Sequence, residues 1–181
     1  MREKEETMKI INTFFNVERK IVDVAAILLI AALSILVIVQ VFARYMFNHS
    51  ITWSEELARY LQVWLVMMGS VILTRKKGHL AIDIVTASLP PKVRYVTEII
   101  VHITVLVFFA IVAYYGVTLT ANAARQLSPA LRLHMSYVYA ALPVGGALIF
   151  LEEFRLFVEH LLHGWPKAGS KGVDSKAVKE A

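Results

Sequence analysis

Four long apolar blocks set the terms for this chain. The first, Val24 to Ala43, carries Ser34 and Gln40 as its only polar side chains and is otherwise mostly Leu, Ile, Val and Ala. At about −0.3 to −0.6 kcal/mol for each large aliphatic residue, such a block inserts into lipid without help. A helix needs about 20 residues to cross roughly 30 Å of hydrocarbon, and each block has that length. The other three are expected at about Ser54 to Thr74, Val96 to Leu119 and Ser136 to Val158. Apolar residues make up 57% of the 181 positions, well above the content of a soluble domain. The expected fold class is therefore an all-α integral membrane protein of four transmembrane helices. The first block begins too late and runs too long for a cleaved signal, and no small-residue cleavage site follows it in Val41 to Tyr45.

Charge placement gives the orientation. Arg2, Lys4, Lys9, Arg19 and Lys20 precede the first block, Arg75, Lys76, Lys77, Lys92 and Arg94 separate the second from the third, and Lys167, Lys171, Lys176 and Lys179 follow the fourth. The two remaining loops hold Arg44 alone and the pair Arg125 and Arg132. By the positive-inside rule both termini are expected in the cytoplasm. The formal charge of +5 thus belongs to loops at a membrane face, and no nucleic-acid partner is expected.

Outside the blocks, Ile10, Phe14, Val17 and Ile21 recur at helical spacing with charged residues on the other faces, the pattern of an amphipathic helix lying on the membrane. The expected division is a cytoplasmic amphipathic arm over 1–20, a four-helix membrane domain over 21–158 and a cytoplasmic tail over 159–181. A short helix is expected over His79 to Leu89, and a kink near Pro143, where the ring removes a backbone bond.

Cysteine is absent, which excludes disulfides, thiolate metal sites and a cysteine nucleophile. No catalytic triad, phosphate-binding glycine loop or metal-ligand cluster can be assembled on any pair of blocks, and no enzyme activity, cofactor or metal is expected. The ionisable residues Asp23, Glu98, Glu152, Glu153 and Arg155 fall near the cytoplasmic ends, where snorkelling or local pairs such as Glu152 with Arg155 and Glu98 with His102 accommodate them.

The most informative stretch is Asn48 to Tyr60. Thr52 and Glu55 have capping-box spacing, and Glu55 and Arg59 stand i,i+4 in the favourable order. Asn48-His49-Ser50 also matches a glycosylation sequon. A Trp, two adjacent acids and an Arg at one membrane-entering helix end exceed what capping requires. Trp53, Glu55, Glu56 and Arg59 are therefore candidates for a partner interface, and Tyr60, Trp64, Met67 and Met68 form an adaptable stripe further along the same helix. The opposing expectation for the stripe is packing against the chain's own helices.

Trp53-Ser54-Glu55-Glu56 with Arg59, then Trp64, Gly69, Arg75 and Gly78-His79-Leu80-Ala81-Ile82-Asp83, resemble the small membrane subunit (DctQ type) of tripartite ATP-independent periplasmic (TRAP) transporters. The resemblance implies a bacterial inner-membrane protein bound to a large membrane subunit, which would hold the sodium and substrate sites, and served by a periplasmic substrate-binding protein. It implies an organic acid, of the C4-dicarboxylate or sialic acid type, as the transported substrate. Two other classes compete: a haem-bearing membrane anchor, for which His102 within a span lacks an obvious second ligand, and a small stand-alone transporter, which would want polar groups near the midplane.

Overall fold

A computed structural model describes residues 2–46, 52–76 and 90–162, with side chains from residue 15 onward apart from 91 and 92. The described chain is all-helical: α1 (Arg2–Met46), α2 (Thr52–Arg75), α3 (Pro91–Ala123), α4 (Ser136–Tyr139) and α5 (Ala141–Leu162). Three stretches are long and apolar enough to cross a membrane, Phe15–Met46, Thr52–Arg75 and Val93–Ala123. The 22 residues of α5 have the length as well, but its second half carries Glu152, Glu153 and Arg155.

The expected division at residue 20 falls inside one continuous helix. Helix α1 runs unbroken for 45 residues, because no Pro or Gly interrupts the i to i−4 ladder between Arg2 and Met46. The side chains of Ile10 and Phe14 lie outside the described residues, as do the expected helix at His79–Leu89, the Gly78–Asp83 motif, the sequon at Asn48 and the tail beyond Leu162. Helix α3 opens with Pro90 as its cap and Pro91 inside, a position where the missing N–H costs nothing.

The interruption expected near Pro143 falls at Ala140, three residues earlier, between α4 and α5. Proline sits well in the first turn of a helix but crowds the carbonyl four residues before it, so the ladder breaks upstream of the ring. The indole N–H of Trp64 donates to the carbonyl of Tyr137 at 3.0 Å, satisfying an acceptor that the break sets free.

The long helices do not close into a bundle. α1 packs on α2, α2 on α5, and α5 on α3, while α1 and α3 do not touch. The result is a row one helix thick, in the order α1, α2, α5, α3. Its core is correspondingly thin: Val22, Ala26, Met68, Val71 and Ile149, with Leu29, Trp64, Ile72, Phe109 and Leu148 against them. Glycine brings neighbouring helices close. A Cβ on Gly145 would stand 2.8 Å from Met67, and one on Gly116 would stand 2.9 Å from the Pro143 ring.

Candidate functional site

Charged side chains collect in two bands, one at each end of the row. Between the bands no described residue is Asp, Glu, Lys or Arg: none occurs from Val24 to Ala43, from Tyr60 to Thr74, from Ile99 to Ala124 or from Leu133 to Leu151.

The first band lies where α2 ends and α3 begins. Glu152 and Glu153 sit at the inward face of α5, 1% and 0% exposed, so neither snorkels to the surface and neither is satisfied by a neighbour on its own helix alone. The Arg19 guanidinium of α1 grips Glu152 with two bonds, Nε to Oε1 at 2.8 Å and Nη2 to Oε2 at 3.1 Å. This fork-to-fork geometry is the strong form of an Arg–carboxylate pair. The expected partner Arg155 is more distant, at 3.5 Å. Asp23 of α1 takes Arg75 of α2 at 2.5 Å. On the other flank Glu153 meets His102 Nδ1 of α3 at 2.6 Å, and Glu98 takes Arg94 at 2.7 Å and approaches His160 at 3.6 Å. Glu98 is thus held within α3 by Arg94, while Glu153–His102 and Glu98–His160 are the contacts that cross between α3 and α5. Glu18 enters the same band with both carboxylate oxygens buried and no hydrogen-bond partner among the described residues.

The ion pairs stitch every helix of the row to another: α1 to α2, α1 past α2 to α5, and α5 to α3. Buried charges are tolerated when paired with good geometry and costly when one partner is lost. Sequence spacing missed this network, although the adjacent acids Glu152 and Glu153 inside an apolar helix were a signal for it.

The second band lies where α2 begins. The carboxylate of Glu56, 6% exposed, accepts the Tyr60 hydroxyl at 2.5 Å and the backbone N–H of Ala130 at 2.8 Å. The Ala130 loop is a tight return: Ser128 donates its N–H to Leu133 O, Met135 donates to Gln126 O, and Arg132 adopts φ 53°. Tyr60 also touches Met135 Sδ at 3.4 Å. Glu56 therefore clamps the connection between α3 and α4 onto α2.

The eight interface candidates divide by face. Glu56, Tyr60, Trp64, Met67 and Met68 turn toward the chain's own helices: Met68 is in the core and Met67 meets Gly145. Trp53, Glu55 and Arg59 face outward. Glu55 pairs with Arg44 of α1 at 2.9 Å, rather than with Arg59 one turn along.

Comparison with known proteins places this architecture. The family model described as tripartite ATP-independent periplasmic transporters, DctQ component, matches residues 33–163. A TRAP transporter small permease protein of Haemophilus influenzae is 28% identical over 131 residues, which cover 72% of this chain and 79% of that protein. The sialic acid TRAP transporter small permease protein SiaQ of Vibrio cholerae is 29% identical over 150 residues, 82% of this chain and 83% of its own. The sialic acid TRAP transporter permease protein SiaT of Haemophilus influenzae is 33% identical over 117 residues, 65% of this chain but only 19% of that longer protein. The chain belongs to the DctQ family, the small membrane subunits of TRAP transporters.

Proposed function

We propose that this chain spans the inner membrane four times with both termini in the cytoplasm, and that it braces a large permease subunit without carrying substrate itself. The uptake so supported is sodium-driven, its substrate an organic acid of the C4-dicarboxylate or sialic acid type, delivered by a periplasmic binding protein. Relatives named for sialic acid transport favour that substrate class. The observation that carries the bracing role is the position of the polar groups. A carrier of carboxylates wants cationic or hydroxyl groups converging near the midplane on broken helices. In this row the charged side chains among the described residues lie in two end bands, and Arg19, Glu152, Arg75, Asp23 and Glu56 among them hold separate segments to one another. Membership in a transporter family also disfavours the haem-anchor reading.

On this reading the first 20 residues and the tail from 159 onward are cytoplasmic, the first as an extension of α1. Proteoliposomes containing this chain alone, given a sodium gradient and labelled organic acids, should accumulate nothing above empty vesicles. Adding the large subunit and the binding protein should restore uptake. Robust accumulation by the chain alone would remove the bracing reading.

A further inference from the structure

The residues of α2 that face away from the row follow one stripe at helical spacing: Glu55, Arg59, Gln62, Val66, Gly69 and Leu73, all exposed. The corresponding stripe of α5, Val144, Ala147, Leu151, Phe154 and Val158, is apolar throughout and suits lipid. That of α2 does not. The 24 residues of α2 extend about 36 Å, and a centred hydrocarbon layer of about 30 Å leaves only about 3 Å beyond each end. Arg59 then lies about 7 Å inside the apolar layer and Gln62 about 12 Å inside. An Arg at the lower depth reaches water by snorkelling, but the shorter Gln62 amide does not.

Gly69 is a second, separate oddity. Gly116, Gly145 and Gly146 are each explained by a neighbour within 3.3 Å of a Cβ, whereas a Cβ on Gly69 would meet nothing within 4 Å. A mid-helix glycine weakens a helix unless something approaches closely, and among the described residues nothing does. Helices in lipid associate through small residues that admit a neighbouring backbone and through a few hydrogen bonds between polar side chains. Both elements stand on this stripe, two turns apart.

We infer that the outward stripe of α2 seats a membrane helix of the large subunit, one that presents a carboxylate at the depth of Arg59 and lies closest at Gly69. The inference rests on the partner named under the proposed function. It moves the contact from Tyr60, Trp64, Met67 and Met68 to the opposite face of the same helix. The complementary charge follows from Arg59 itself, which makes no hydrogen bond or ion pair within this chain's described residues, whereas the other outward charges of this helix end, Glu55 and Arg44, neutralise each other. Gln62 adds a directional bond one turn deeper.

The test uses affinity-tagged small subunit co-expressed with its large subunit and recovered in mild detergent. Gly69→Leu and Arg59→Glu should each lower the recovered large subunit by about tenfold or more, while the tagged chain keeps its yield and helical content, since neither side chain packs inside the row. Arg59→Lys should retain the complex. Because the chain has no cysteine, Val66→Cys can carry a single nitroxide label. Its collisions with lipid-dissolved oxygen should fall when the large subunit joins. Unchanged recovery with both substitutions overturns the inference and leaves Arg59 to a lipid phosphate. A label already shielded in the tagged chain alone would give the stripe to a second copy and overturn it as well. Failure of the unsubstituted chain to recover the large subunit would instead overturn the proposed function, and this inference with it.

Discussion

Arg19 and Glu152 meet past the end of an intervening helix, in a two-bond ion pair of 2.8 and 3.1 Å that joins α1 to α5 although α2 packs between those helices. Glu152 is 1% exposed, so its charge depends on that partner. Glu152→Ala should strand the Arg19 guanidinium and destabilise the detergent-solubilised chain by about 3–5 kcal/mol. The double variant Arg19→Met with Glu152→Leu should recover most of the loss, as apolar replacement of a buried pair often does. Thermal unfolding followed by circular dichroism compares them; a double variant as weak as the single one would show that packing, not charge, is what was lost.

Glu18 shares that band without a bonded partner among the described residues and close to Glu152. Glu18→Gln removes a like charge and should raise the unfolding temperature, in contrast to every other acid of the band. A fall comparable to that of Glu152→Ala would assign Glu18 an interaction that its geometry does not display.

Glu56→Ala should release the loop after α3. Tyr60 and the Ala130 amide each lose their shared carboxylate acceptor and turn to water instead. Hydrogen exchange at Ala130 and trypsin cleavage at Arg125 and Arg132 should quicken, with the long helices intact. Protection equal to that of the unsubstituted chain would mean that the loop holds itself.

Two glycines should respond in opposite directions in the isolated chain. Gly116→Ala drives a methyl to 2.9 Å from Pro143 and should cost about 1–3 kcal/mol. Gly69→Ala meets open space and should stabilise by about 0.5–1 kcal/mol through helix propensity. Equal effects at the two positions would contradict the packing of α3 on α5.

Compartment reporters fused at Lys92 and at Ser128 should give opposite signals, cytoplasmic for the first and periplasmic for the second. The basis is the concentration of Lys and Arg in alternate loops. Matching signals would overturn the four-span topology.

The limits of α2 were legible because lipid imposes a length, whereas α1 starts far ahead of the expected Val24 because an apolar block marks the span and not the helix. α2 was expected from Ser54 to Thr74 and occupies Thr52–Arg75. What spacing left open was which side of a helix meets which neighbour. In water an amphipathic pattern points its apolar face inward, but in a membrane both lipid and protein are apolar, and the sign is lost. Tyr60, Trp64, Met67 and Met68 were recognisable as one stripe, yet only packing shows that it faces α5 and the Ala130 loop. The ion pairs were hidden for a different reason. Arg19 and Glu152 stand 133 positions apart, and local spacing carries no information about which depths coincide.

A row of helices joined only side to side has a weakness that a closed bundle lacks. α2 and α5 are the inner members, and the seam between them, where Met67 meets Gly145, separates α1 and α2 from α5 and α3. A pivot along that line would strain the cluster of Val22, Ala26, Met68 and Val71 with Ile149 but leave the α1–α2 and α5–α3 packing undisturbed. Arg19–Glu152 spans the seam at one end, and Trp64 and Glu56 span it at the other through the segment that leads into α5. These contacts act as latches on a hinge, and cutting either set should let the plank flex while each half keeps its shape.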